Sequence, residues 1–249
     1  MSRFLFITDL DGTLVGDRAA LAELNRQLEA HRQQYGTLIT YSTGRSPTLY
    51  QQLTTEEDLL EPDFLVLSVG TIIYPRGSQT PLAEWSDRLD QGWNRQQVVD
   101  IAARYDALAL QPESEQTPHK VSYFVEQDAA EQVIELLTDD FKTAGLDTQI
   151  IYSSGADLDV LPQTGNKGAA VKFLHDQTGV TPDRTVVCGD SGNDIAMYEK
   201  NNAKGIIVGN AKPELRQWHA DHPSSDRFLA ELPCAGGILQ GLQHFGFLE

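Results

Sequence analysis

The chain has 249 residues, 40% of them hydrophobic and 22% charged, enough for a substantial buried core with room for two compact units. Its net charge of -17 sets the surface against nucleic acid and anionic membranes, both usually met by clustered Lys and Arg. No stretch approaches the roughly 18 uninterrupted apolar residues that a membrane span requires, and an anionic small molecule would have to be held by a local cation against the global field.

In chain order, Phe4 to Thr8 is an apolar run ending at Asp9, and Leu21, Leu24 and Leu28 follow at helical spacing, which predicts a strand and then a helix. The alternation repeats with Thr37 to Ser42 as strand, Ser46 to about Glu57 as helix and Phe64 to Val69 as strand. Strands with intervening helices imply a parallel sheet covered on both faces. After Pro75-Arg76-Gly77 the pattern changes to a polar segment with Trp85, Trp93 and Val98. The segments Ala107 to Leu110 and Val121 to Val125, a helix from about Asp128 to Ala144, and Gln149 to Tyr152 then follow. From Asp159 the first pattern returns, with a helix after Asn166, the strand Thr185 to Cys188, a helix after Ser191 and the strand Gly205 to Val208.

The expected fold class is therefore α/β: a doubly wound parallel sheet formed by residues 1–79 and 160–249, with a smaller α+β unit inserted at 80–159. The first residues enter a strand-like pattern without the layout of a cleavable signal, so a cytoplasmic location is the expectation. Cys188 and Cys234 are too few and too far apart for a disulfide framework or a thiolate zinc site and read as core thiols. The Pro and Ser cluster around 222–225 reads as an exposed loop.

Four short segments carry chemistry. DLDGT, Asp9 to Thr13, stands at the end of the first strand, where open α/β sheets bind ligands; alternate side chains of an extended segment share a face, so Asp9 and Asp11 can converge on one cation. Alone, the pair also reads as a solvated turn or cap. GDSGND, Gly189 to Asp194, follows another strand and offers Asp190, Asp194 and Asn193 as hard oxygen ligands suited to Mg²⁺, or simply as a turn capping the next helix. STGRS, Ser42 to Ser46, opens a helix with hydroxyl and amide groups able to hold phosphate oxygens, or to cap that helix. Asn166-Lys167-Gly168 opens a further helix, and its Lys can neutralise a phosphate or remain a solvated surface group. Each segment falls at a predicted strand end or helix start of one sheet, and their joint placement is far more specific than any one of them.

In this order and over essentially the whole chain, the four segments resemble the motifs of the haloacid dehalogenase-like phosphatase superfamily. An insertion between the second and third motifs is similar to the Cof-type cap arrangement. Within that branch, YSTGRS, LSVGTIIYPRG, HKVSYF, IIYSSGADLDVLPQTGNKG and VCGDSGNDIAMYE look most like the cyanobacterial sucrose-phosphate phosphatase family. One departure is Ile72, where many members carry an acidic residue. The resemblance implies a Mg²⁺-dependent sugar-phosphate phosphatase, with sucrose 6-phosphate the leading substrate, another phosphorylated glycoside or compatible solute behind it, and a sugar-phosphate synthase as a possible transient partner. Asp9 would be the nucleophile and Asp11 the general acid and base. The metal would be held by the Asp9 carboxylate, the Asp11 backbone carbonyl and Asp190, with Asp194 acting through water or from behind. Thr43, Gly44, Lys167 and Asn193 would bind phosphate oxygens, while Lys120, Arg45, Ser153, Asp157 and Asn166 are candidates for the sugar. His119 reads as structural, and at least two of Trp85, Trp93 and Trp218 as packing residues rather than sugar platforms. A phosphotransferase or phosphomutase would share these motifs, and receiver-like or inactive regulatory modules share the acidic sheet edge, although receivers are roughly half this length.

Overall fold

The structure is a computed structural model and describes residues 2–153, 155–199 and 201–249. Its elements in chain order are β1 (Leu5–Thr8), α1 (Arg18–Tyr35), β2 (Leu38–Ser42), α2 (Pro47–Glu56), β3 (Phe64–Leu67) and β4 (Ile72–Pro75). There follow α3 (Ala83–Leu89), α4 (Arg95–Ala102), β5 (Ala109–Leu110), β6 (Val121–Phe124), α5 (Gln127–Thr143), β7 (Thr148–Ser153) and β8 (Asp157–Pro162). The last part of the chain supplies α6 (Lys167–Thr178), β9 (Thr185–Gly189), α7 (Ile195–Glu199), β10 (Lys204–Ile207), α8 (Pro213–Asp221), β11 (Arg227–Leu229) and α9 (Cys234–His244). No helix among the described residues is long and apolar enough to cross a membrane.

Short apolar and β-branched runs without alternation make strands that are buried on both faces. They form a seven-stranded sheet in the order β11-β10-β9-β1-β2-β3-β4. Pairing is parallel from β11 to β3, as expected, but the edge strand β4 runs antiparallel to β3. A chain leaving β3 through the short turn Ser68–Gly70 has too few residues for a crossover and must return beside the strand it left. Ile72 opens that return and pairs with Leu67.

Successive residues of β1 serve opposite faces. Phe6, with Phe4 just before the strand, packs with Leu21, Leu24 and Leu28 of α1 and with Ile238 and Leu242 of α9. Leu5 and Ile7 pack with Val171, Phe173 and Leu174 of α6. Both cysteines are free and buried. Asp17 caps α1 by accepting from the amides of Ala19 and Ala20, and Gly36 ends it in the left-handed region at φ 75°.

The second sheet is antiparallel, in the order β5-β6-β8-β7. One face is covered by α4 and α5 through Val98, Ile101, Val133, Leu137 and Phe141, which meet Val121, Tyr123, Leu158 and Val160. The period of two then sends Ser122, Asp157 and Asp159 to the other face. The expected insertion at 80–159 divides these units differently from the packing. Trp85 and Leu89 of α3 join the core of the large sheet, Trp85 against Phe173 at 5.1 Å between ring centroids, and β8 continues to Pro162.

The small sheet docks over the carboxyl ends of the large one. Ser46 Oγ, which accepts from Leu49 N at the start of α2, donates to Glu115 Oε1 at 3.2 Å. Where β8 hands over to α6, the Gln149 side-chain amide donates to the carbonyls of Pro162, Gln163 and Gly165.

The helix pair α6–α7 approaches so closely at Gly168 that a Cβ there would sit 2.1 Å from the carbonyl oxygen of Ala196. Gly168→Ala is expected to destabilise the fold by about 1–3 kcal/mol, the usual penalty for overpacking, and thermal unfolding followed by circular dichroism measures it.

Candidate active site

Register in the large sheet brings the four segments to one edge. Thr8 of β1 stands level with Tyr41 of β2 on one side and Cys188 of β9 on the other, so Asp9, Thr43 and Asp190 leave adjacent strand ends. The amide of Asp9 donates to the carbonyl of Cys188 at 3.0 Å, which continues the pairing one residue beyond β1.

Lys167, the first residue of α6, stands between the first and fourth motifs in the cluster. It is fully buried, and its Nζ donates to Asp9 Oδ1 and to Asp194 Oδ1, each at 2.7 Å. Asn166 caps the helix by accepting from Ala169 N at 2.8 Å, and this fixes where Lys167 begins its reach. Its backbone lies against Gly70, where a Cβ would fall within 2.5 Å of Lys167 N; the φ of +101° at Gly70 likewise excludes other residues. Ser68 and Val69 precede it at φ 51° and 60°, a strained conformation for a β-branched residue. The turn returns two bonds to the second motif, Ser68 N to Arg45 O at 2.9 Å and Val69 N to Thr43 O at 3.0 Å.

Asp194 is wholly buried and fully occupied. Beyond Lys167, its Oδ2 accepts from the amides of Asp190 and Ser191 at 3.0 Å, closing the GDSGND turn on itself. Asp190 Oδ1 accepts from Thr13 Oγ1 at 3.0 Å, which ties the first motif to the fourth. Carboxylate oxygens of Asp9, Asp190 and Asp194 lie within 4.8 Å of one another. Among the described residues no donor engages Asp9 Oδ2 or Asp190 Oδ2.

Burial pushes the Asp9 carboxyl up to about 8; the Lys167 ammonium pulls the other way, while Asp194 and Asp190 add to the rise. Burial, followed by Asp194, raises Asp190 to about 6. Burial also opposes the charge on Lys167, yet Asp194 and Asp9 outweigh it and hold that group above its ordinary value. These shifts favour opposite charge states within one ion pair: burial opposes the charged form of every member, and the neighbouring carboxylates raise each of them. The direction that stands is a charged Lys167 in a cluster with an excess of negative charge. A divalent cation would balance that excess, and the two unengaged carboxylate oxygens are the hard donors Mg²⁺ takes, so the residues fit the metal.

Asp11 is apart from this group. Its half-exposed carboxylate meets Arg45 in two parallel bonds, Nε to Oδ2 and Nη2 to Oδ1, both 2.7 Å. The Asp11 side chain holds the Arg45 guanidinium above its ordinary value.

A cavity of about 320 Å³ opens between the two sheets. It brings together Asp9, Asp11, Thr43, Gly44, Arg45, Asp190 and Asn193 from the large unit with Lys120, Ser153 and Asp157 from the small one. Among the described residues, no partner engages the buried Asn193 Oδ1. Lys120, 2% exposed, donates to Ser122 Oγ at 2.6 Å and Asp159 Oδ1 at 3.3 Å. Asp157 accepts from Gln111 at 2.9 Å, and burial followed by the Asp159 charge raises its carboxyl.

Asn166, expected at the sugar, does not line the cavity: capping α6 and donating to Gln149 Oε1 at 2.9 Å consume its side chain. Lys167 lies behind Asp9 rather than on the cavity wall. His119 pairs with Asp90 at 2.7 Å outside the cavity, and none of the three tryptophans lines it. Gln111, Glu115, Ser191 and Lys212 line it without having been singled out in the sequence. Lys212 alone carried a signal, as the residue before Pro213 at a helix start beyond a predicted strand.

The doubly wound sheet, the four motifs on its carboxyl edge and the second sheet over them define a member of the haloacid dehalogenase-like superfamily. The sequence model of the sucrose-6F-phosphate phosphohydrolase family matches residues 2–246, and the chain belongs to that family. It is 40% identical to probable sucrose-phosphatase 2 of Arabidopsis thaliana over 98% of the chain and 60% of that relative, so it spans about 60% of the length of this plant protein. Mannosylfructose-phosphate phosphatase of Agrobacterium fabrum is 33% identical over 97% of the chain and 96% of that protein. The crystal structure of the sucrose-phosphatase from Synechocystis sp. PCC6803, in complex with sucrose and phosphate, superposes with a TM-score of 0.90 at 38% identity, covering 99% of each chain.

Lys167→Met removes the one cation that, among the described residues, is buried with the three carboxylates. Without added metal it should lower stability by about 3–5 kcal/mol, the loss expected when one partner of a buried pair is deleted, and Mg²⁺ should restore part of this in thermal unfolding.

Proposed function

We propose that the protein is a Mg²⁺-dependent phosphatase that hydrolyses sucrose 6-phosphate to sucrose and phosphate through an aspartyl phosphate on Asp9. The observation that carries this reading is the Lys167 bridge. It holds Asp9 at the cavity floor with one oxygen fixed and the other unengaged, as an attacking carboxylate must be.

Mg²⁺, held by Asp9, Asp190 and the backbone carbonyl of Asp11 with Asp194 behind them, would offset repulsion between the anionic nucleophile and the anionic substrate. Asp9 forms the new bond to phosphorus as the bond from phosphorus to the sugar oxygen breaks. Asp11 gives its proton to the departing oxygen, then takes one from the water that cleaves the aspartyl phosphate. Thr43, the amide of Gly44 and Asn193 face the cavity where the non-bridging oxygens would lie, while Lys167 compensates charge from behind Asp9. The carboxylates of Glu115, Asp157 and Asp159 and the amide of Gln111 offer acceptors and donors to sugar hydroxyls, and Lys120 is set among them.

Family membership and the 38–40% identities to sucrose-phosphatases support sucrose 6-phosphate. The end-to-end match to a mannosylfructose-phosphate phosphatase favours a second reading in which the glucosyl part is replaced by mannosyl. Phosphate release across disaccharide and monosaccharide phosphates, with Mg²⁺ and with chelator, separates the two. Sucrose 6-phosphate is expected to give the highest kcat/KM, chelator to abolish release, and Asp9→Asn to cost at least about 10³-fold, as removal of a nucleophile does. Normal turnover by Asp9→Asn overturns the mechanism; a flat substrate profile overturns the sucrose assignment.

A further inference from the structure

At 52% side-chain exposure, burial does not orient the Asp11 carboxylate, unlike those of Asp9, Asp190 and Asp194. Arg45 orients it through the two parallel 2.7 Å bonds, and a planar guanidinium fork fixes the plane of a carboxylate as well as its distance. The fork is held in turn. Nη1 donates to the carbonyl of Leu49 at 3.0 Å, the Arg45 amide donates to Thr43 Oγ1 at 3.2 Å, and the Arg45 carbonyl accepts from Ser68 at 2.9 Å. Arg45 is thus built into the same turn as Thr43, with Ser46 beside it bonded to Glu115 of the docked small sheet.

We propose that Arg45 is a positioning residue whose guanidinium sets the Asp11 carboxylate at the cavity wall in the orientation from which it serves the leaving oxygen, rather than a contact for the sugar. This rests on the acid role of Asp11 in the reading above. Both guanidinium edges are already engaged, one by Asp11 and one by Leu49, so the fork is committed to the protein. A lysine would supply the charge without the plane.

The test measures kcat/KM across substituted aryl phosphates, from poor to good leaving groups, for the native enzyme, Arg45→Gln, Arg45→Lys, Asp11→Asn and the Arg45→Gln/Asp11→Asn double variant. These substrates carry no sugar, so a lost sugar contact leaves the series unchanged. Arg45→Gln is expected to lose about 10–100-fold on poor leaving groups, part of what a general acid supplies, and under about 3-fold on 2,4-dinitrophenyl phosphate, which needs little acid assistance. Arg45→Lys should recover only part of the loss, and the double variant should fall little below Asp11→Asn, because the two residues act as a unit. A loss uniform across the series, a loss seen only with sugar phosphates, or additive effects in the double variant overturns the assignment. If Asp11→Asn itself shows no leaving-group dependence, the acid role falls and the inference with it; a steepened Asp11→Asn series beside an unchanged Arg45→Gln series overturns the inference alone. Should Arg45→Gln fail to fold, Arg45→Lys carries the same comparison.

Discussion

An ammonium buried between two carboxylates organises this molecule. Lys167 reaches Asp9 and Asp194 at equal distances of 2.7 Å with no exposed surface, so it links the first and fourth motifs from the start of a helix that follows the inserted unit. Its charge makes it tolerable to pack three carboxylates at one sheet edge, and its insufficiency leaves room for a divalent cation. Much of the surrounding backbone serves to place this one side chain: the Asn166 cap, the close approach at Gly70 and at Gly168, and the Asp194 carboxylate closing its own turn.

Around that centre the two units divide the work. The large sheet fixes the charged groups through parallel register, which leaves little freedom to residues at strand ends. The small sheet offers a polar face, Ser122, Asp157 and Asp159, opposite its apolar one, and its docking completes the cavity. Ser46 with Glu115 is a polar contact across the junction.

Much of the large unit was legible because its strands are short uninterrupted apolar runs and its motifs end them: DLDGT after Phe4 to Thr8 and GDSGND after Thr185 to Cys188 each declare a position on the sheet edge. The antiparallel return of β4 was not legible, since an apolar run carries no direction and only the brevity of the Ser68–Gly70 turn sets it. Gln111 and Glu115 were invisible for another reason. Gln111 follows β5 and Glu115 ends a single 3-10 turn, and their facing is decided by how the small sheet docks, a long-range property with no local period. Asn166 was misplaced because an Asn before a helix serves equally as ligand and as cap, and the cap consumed it. Arg45 lines the cavity, and its pairing with Asp11, 34 residues earlier in the chain, follows from the fold rather than from any local spacing.

Strand β1 is first in sequence yet lies at the middle of the sheet, flanked by β2 and by β9, which starts at Thr185. During synthesis, therefore, the hydrogen-bonding edge of β1 that will receive β9 stays open while the whole small unit is being made. An apolar strand with an open edge invites pairing with other chains. Early folding of the small unit, whose strands pair with one another, leaves that edge of β1 unpaired.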